Sequence, residues 1–269
     1  MTSERAVREE LVAISQRLAA RGWTANHDGN VTARLGSGRI LATPTATSKA
    51  AVGERNLIVV NDDGERVSGD GKPFGEIGLH LTVYKNRADV TAVVHAHPPA
   101  ATGIACAGGR QLERPFIAEA VVSLGPTIPT VPFALPGAAA CAALAGYVLP
   151  FDAVLLGNHG VIAWGVNLEQ AYLRLELVEH LAKIALEAER AGGIKALPES
   201  ALGPLLEARK KAGLLRPTAA AAATGPKPVV ACAPSPTADV PLISPGGGSA
   251  ATNDLAALIR EEVIRSLRG

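Results

Sequence analysis

The sequence predicts an α/β protein, a three-layer α/β/α sandwich on a mixed, largely antiparallel sheet. Three observations carry that expectation. Amphipathic helical stretches are interleaved with short β-branched runs. Turn clusters of the hairpin type separate several of those runs, so strands follow strands directly. With 48% hydrophobic residues in 269, the chain has apolar material for one core but not the length for several large domains.

The elements follow in order. Val7, Leu11, Ile14 and Leu18 recur at helical spacing, forming one face of an N-terminal helix that ends before Gly22. Arg39 to Ala42 and Asn56 to Val60 are β-rich, and Asn61-Asp62-Asp63-Gly64 closes the second run as a hairpin turn. Ile77, Leu81 and Tyr84 share a helical face that opens near Glu76. The β-branched run Val90 to His97 comes next and is stopped by Pro98-Pro99. Glu76 therefore starts a helix, while His95 and His97 end a strand. Ala153 to Leu156 and Val161 to Trp164 flank Gly157-Asn158-His159-Gly160, a hairpin whose turn carries His159. Asn167 then caps a long helix, with Gln170 at the third helical position and Ala171, Leu175, Val178, Ala182 and Ala185 as its buried stripe.

Charge and cysteine usage exclude several classes of function. Lys plus Arg number 26 against 25 Asp plus Glu, so the chain lacks the basic footprint of a nucleic-acid partner. Cys106, Cys141 and Cys232 are odd in number and form no CxxC, which argues against both a disulfide framework and a thiolate zinc site. The first ten residues are charged rather than apolar, and prolines interrupt the uncharged run from Ala120 to Phe151. The expectation is a cytoplasmic protein with no membrane segment.

Composition divides the chain into three parts. Residues 1–215 are expected to form the catalytic domain. Residues 216–250, dominated by Ala, Pro, Gly, Ser and Thr, read as a flexible linker with too few large apolar residues to offset the entropy of ordering. Residues 251–269 regain helical periodicity, with Leu255, Leu258, Ile259, Val263 and Leu267 on one face.

The chemistry concentrates on histidine. Side chains two apart on a strand share a face, which sets the Cα atoms of His95 and His97 roughly 6 to 7 Å apart, a span one cation can bridge. A catalytic zinc commonly takes three protein ligands and keeps one position open, and His159 on its turn could supply the third. Spacing alone leaves two readings open, a metal site or ordinary half-buried histidines. Glu76 and His80, four apart on a helix, could mimic a second metal pair, but a structural role is preferred for His80. His27 and His180 read as solvated bystanders.

The segments His27-Asp28-Gly29-Asn30-Val31-Thr32-Ala33-Arg34, Thr43-Pro44-Thr45-Ala46, Gly75-Glu76, His95-Ala96-His97-Pro98 and Gly157-Asn158-His159-Gly160, in order and spacing, resemble the class II aldolase/adducin family over about residues 4 to 190. The resemblance, notably to L-fuculose-phosphate and L-rhamnulose-phosphate aldolases, implies a zinc or other divalent-metal enzyme. Its ligands would be His95, His97 and His159, its base Glu76, and its assembly a homotetramer with sites at subunit interfaces. It also implies a phosphate subsite on loops matched here by Asn30, Thr45 and Ala46, with Gly75 beside the base. This chain has Phe74-Gly75 where the family has two serines, which removes two hydroxyl donors. No tyrosine lies between Tyr84 and Tyr147 to match the family's catalytic tyrosine. Glu119 occupies that neighbourhood, as a catalytic glutamate does in related dehydratases, and its alternative reading is a surface carboxylate.

The function implied is retro-aldol cleavage of a ketose phosphate resembling fuculose-1-phosphate to dihydroxyacetone phosphate and an aldehyde such as lactaldehyde. The alternatives are a dehydratase, epimerase or decarboxylase on a related sugar phosphate, or an adducin-like binding protein. Retention of three histidines with Glu76 argues against the last. The C-terminal element resembles an encapsulation peptide, so the lumen of a bacterial microcompartment is an expected location and a shell or cargo protein an expected partner. Docking back on its own domain is the alternative.

Overall fold

The computed structural model describes residues 3–36 and 38–214. The expectations of a linker over 216–250 and a helix over 251–269 lie outside the described residues.

Helix α1 (Glu4–Ala20) starts where the Ser3 hydroxyl accepts a hydrogen bond from the Ala6 amide, and it buries Leu11, Ile14 and Leu18. Strands β1 (Asn30–Gly36), β2 (Arg39–Ala42), β3 (Ile58–Val60) and β4 (Arg66–Ser68) pair antiparallel in succession. Asn61 Oδ1 accepts the amides of Asp63 and Glu65 and so closes the β3–β4 hairpin from within its turn. Helix α2 (Ile77–Asn86) leads to strand β5 (Ala92–Ala96) and helices α3 (Pro99–Cys106) and α4 (Ala118–Ser123). Strand β6 (Thr130–Val131), helix α5 (Ala138–Val148), strands β7 (Ala153–Leu156) and β8 (Gly160–Gly165), and helices α6 (Leu168–Arg190) and α7 (Glu199–Lys211) complete the order.

The strands form one eight-stranded sheet in the order β4-β3-β2-β1-β5-β8-β7-β6. Every pair is antiparallel except β6–β7, so the sheet is mixed and largely antiparallel, as the hairpin signals implied. Strand alternation then assigns side chains to two cores. Ala92, Val94 and Ala96 of β5, with Val161 and Ala163 of β8, join α1, α3 and α6 on one face. Val93, Ile162 and Trp164 join α2 and α5 on the other. Helices on both faces of a sheet make the α/β/α sandwich.

Several details differ from the sequence expectation. Asn56 ends a 3-10 turn (Glu54–Asn56), and β3 begins only at Ile58. Strand β5 stops at Ala96, where the β8 ladder ends, because the His97 amide is taken by the Trp23 carbonyl at 2.9 Å. Asn167 caps α6 through the Gln170 amide, but Gln170 returns its bond to the Val166 amide rather than to the cap residue. Helices α3, α4, α5 and α7 and strands β1 and β6 do not follow from the sequence pattern. The α5 sequence is small and apolar on every face, so it carries no periodic contrast to read. In α7 the buried side chain is Arg209, which donates to the Val122 and Ser123 carbonyls and to Asp152. Arg87, Arg174 and Arg209 all reach buried Asp152, at 3.2, 3.3 and 2.7 Å. Removing the shared carboxylate would leave buried Arg209 with backbone carbonyls alone, whereas Arg87 keeps Asp89; loss of one partner of a buried ion pair costs about 3–5 kcal/mol in comparable cases.

Candidate metal centre

The second core face brings the histidines together. His95 has the same parity as Val93 on β5, so it points toward α2, and it is fully buried. Its Nδ1 lies 2.9 Å from the Val161 carbonyl, a contact that makes Nδ1 the protonated nitrogen and leaves the Nε2 lone pair for a ligand. The His97 Nε2 lies 3.1 Å from that Nε2, while its Nδ1 faces Asp28 Oδ2 at 3.5 Å. His159 sits in the β7–β8 turn, where Asn158 takes a positive φ of 56° and the His159 amide bonds the Leu156 carbonyl. Two glycines permit these approaches. A Cβ on Gly160 would come 2.6 Å from both the Ala96 carbonyl and His97 Cδ2, and one on Gly29, at φ +70°, 2.9 Å from the His95 carbonyl.

The ligand atoms of His95, His97 and His159 all lie within 4.8 Å of one another. Tetrahedral coordination with zinc–nitrogen bonds of roughly 2.0–2.1 Å places ligand nitrogens about 3.3 Å apart, so three converging imidazoles fit a divalent cation. Glu76 completes the cluster as the residue that opens α2. Its side chain does not cap the helix but turns to the histidines, with Oε1 2.8 Å from His159 Nε2 and Oε2 3.5 Å from His95 Nε2. Asn30 Nδ2 donates to the same Oε2 at 3.0 Å.

Electrostatics suit metal binding. Burial pushes His95 down to about 4 and lowers His97, so both are neutral imidazoles near pH 7, the form that ligates. Burial alone would raise the Glu76 carboxyl, but His95, His159 and Asn30 outweigh it and hold the group well below the usual carboxylate range. The hydrogen bond that His159 donates to Glu76 in turn raises the His159 ring.

The remaining expected residues fall unevenly. Asn30 is buried and bonded to Glu76, and its Oδ1 has no hydrogen-bond partner. Thr45 and Ala46 are exposed on the loop after β2, Ala46 at a positive φ of 53°. An open cavity of about 600 Å³ flanks that loop and is lined by Thr45, Thr47, Arg55 and Asp70, not by the histidines. Gly75 is exposed beside Glu76, whereas Phe74 turns inward, edge-on to His80 at 5.1 Å. Glu119 is exposed in the first turn of α4, whose Ala120 packs into the α6-side core. Among the described residues no hydrogen bond or ion pair joins it to the histidines. His80 is fully buried, with Nδ1 2.8 Å from Thr32 Oγ1, and is not part of the cluster. His27 and His180 are exposed.

Sequence reasoning passed over two residues. Asp28 lies in a segment singled out for other reasons and faces His97. Lys49 is 2% exposed, and nothing in its small, polar surroundings in the sequence signals burial.

Comparison with known proteins agrees with this geometry. Residues 9–186 match the Class II Aldolase and Adducin N-terminal domain. The chain is 35% identical over 185 residues to a 3-oxo-tetronate 4-phosphate decarboxylase of Escherichia coli O6:H1, covering 67% of this chain and 86% of that protein. It is 32% identical to a 5-deoxy-D-ribulose 1-phosphate aldolase of Bacillus thuringiensis serovar kurstaki, covering 71% and 90%. The crystal structure of YgbL from Klebsiella pneumoniae, a putative aldolase/epimerase/decarboxylase, superposes with a TM-score of 0.71 at 32% identity over 76% of this chain and 100% of that one. With its matched domain, its sheet order and its three converging histidines, this chain belongs to the class II aldolase and adducin family.

Proposed function

We propose that this chain is a divalent-metal lyase that breaks the bond between the carbons α and β to the carbonyl of a short phosphorylated sugar or sugar acid, with His95, His97 and His159 as ligands and Glu76 as the proton carrier. The observation that carries the reading is the Glu76 carboxylate, bonded by Asn30 and set against the His159 and His95 nitrogens beside the third histidine. The bound cation, zinc in the first instance, would stabilise the negative charge left on the substrate oxygens when the bond breaks. Asn30 fixes the orientation of the carboxylate. Glu76 exchanges the proton at the carbon where the bond was, while burial of His95 limits competing solvent.

Two cleavages fit. Retro-aldol cleavage of a ketose phosphate gives dihydroxyacetone phosphate and an aldehyde such as lactaldehyde, and it requires a second group to move a proton at the aldehyde oxygen. Glu119 from a neighbouring subunit is proposed for that step, which makes a homotetramer part of the reading. Decarboxylation of a phosphorylated keto acid makes a smaller demand, because carbon dioxide leaves without a proton at oxygen. The 35% identity to a 3-oxo-tetronate 4-phosphate decarboxylase favours this second reading. A panel of ketose 1-phosphates and 3-keto acid 4-phosphates, assayed in parallel for aldehyde and for carbon dioxide, separates the two. Release of neither product by metal-loaded protein overturns both. Residues 251–269 are further proposed to direct the enzyme to a microcompartment shell, tested by fusing residues 240–269 to a fluorescent protein and co-expressing it with shell proteins. Failure to co-purify would remove that proposal.

A further inference from the structure

Lys49 is a buried cation without a carboxylate partner. Its side chain is 2% exposed, yet no Asp or Glu oxygen lies within 4.0 Å of its ammonium among the described residues. The contacts of Nζ are two backbone carbonyls, Thr47 at 2.6 Å and His27 at 3.3 Å. A charge in that setting is expensive unless something offsets it, and two carbonyl dipoles offset only part.

The two carbonyls belong to different loops. Strand β1 pairs antiparallel with β2, Thr32 opposite Ala42, so the segment entering β1 runs beside the segment leaving β2. The first segment ends in Asn30, whose Oδ1 has no partner, and the second contains the positive-φ turn at Ala46. The family resemblance implies a phosphate subsite on these two loops. Lys49 therefore bonds both loops and sets its ammonium between them. On the opposite side, between β4 and α2, Phe74 faces the core and Gly75 has no side chain, so residues 74 and 75 offer no hydroxyl or cationic side chain to an anion.

We propose that Lys49 is the positioning and charge-balancing residue of the anion subsite, pinning the 27–30 and 45–47 loops and supplying the positive charge that selects a phosphorylated terminus. This rests on the phosphorylated-substrate reading of the function. Without an anion, burial pushes the ammonium down to about 8, against the opposing influence of Asp28, the charged group acting on it among the described residues. The cation is then lost as pH rises past that value, and a bound anion holds it charged to higher pH.

The probe is inorganic sulfate, a tetrahedral dianion with no titration of its own in the neutral to alkaline range, added to the metal-loaded full chain and followed by calorimetry. Wild-type protein should bind it with an affinity that falls above about pH 8. K49M should weaken binding by about tenfold or more at neutral pH with metal content unchanged, as expected for loss of a charged partner. K49R should restore the affinity and keep it flat through the alkaline range, because guanidinium does not lose its proton there. A merely structural tie would give K49R the wild-type pH dependence. Should K49M prove unfolded, that comparison of K49R with wild type decides alone, and identical pH profiles would overturn the proposal. Equal sulfate binding by folded K49M and wild type would also overturn it while leaving the lyase reading intact. Absence of sulfate and phosphate binding by metal-loaded wild type would overturn it together with the phosphorylated-substrate reading.

Discussion

At the scale of single residues, the site depends on which groups are neutral and which are charged. Replacing His95 or His97 by Ala removes one of the three proposed nitrogen ligands, and each variant is expected to lose most of its metal and nearly all activity, read by metal analysis of the purified protein. Full occupancy in either would remove the assignment. Glu76→Gln keeps shape and loses the carboxylate that takes up the proton, so metal content and fold should persist while turnover falls by about 10²-fold or more. Turnover at the wild-type rate would place the proton carrier elsewhere. His80 tests the acid side of stability. Burial pushes it down to about 3, below its unfolded value of about 6.5. The unfolded chain then binds the extra proton, so stability is fully present above about pH 6.5 and is lost as pH falls toward 3, at about 1.4 kcal/mol per unit. Urea unfolding of metal-free protein at pH 7 and pH 5 should show a smaller loss for His80→Gln than for wild type. Equal losses would show that His80 does not contribute.

At the scale of elements, the candidate metal centre is three strand and helix termini meeting. The β7–β8 turn carries His159 over the end of β5, and that approach tolerates only hydrogen at Gly160. Gly160→Ala introduces a methyl 2.6 Å from His97 and from the Ala96 carbonyl. It should cost about 1–3 kcal/mol by overpacking. Because His97 must move, retention of metal against a chelator should fall along with the melting temperature. An unchanged melting temperature with normal metal retention would mean that the turn has slack. The sequence showed this hairpin by its β-branched runs and its glycines, and it showed the helix opening at Glu76 by periodicity. It did not show that Glu76 declines the capping role open to it and turns toward the histidines instead. That choice depends on Asn30 and His159, residues 46 and 83 positions away in the chain.

At the scale of the whole molecule, the described residues suffice to hold every ligand, Glu76 and both core layers. A chain truncated after Arg216 should accordingly keep its metal content and its lyase activity. Loss of either would assign residues 217–269 a part in folding or catalysis. Helix α7 belongs to the retained part because Arg209 reaches the interior at Asp152 beside Arg87 and Arg174.

Local patterns in the sequence determined the fold class, the strand pairs joined by tight turns, the capped helix after Asn167 and the residues able to ligate a metal. Each of these is set by period-2 or 3.6-residue patterning and by turn chemistry within a few positions. Tertiary structure alone decided the rest. It ordered the eight strands, buried Lys49 between two loops without a carboxylate, turned Phe74 inward, and gathered three arginines on Asp152. It also left Glu119 exposed on α4, with no bond to the histidines among the described residues. The physical reason is the same in each case: burial and partnership depend on residues far apart in the chain, and a polar side chain in a sequence carries no mark of whether water or protein will surround it.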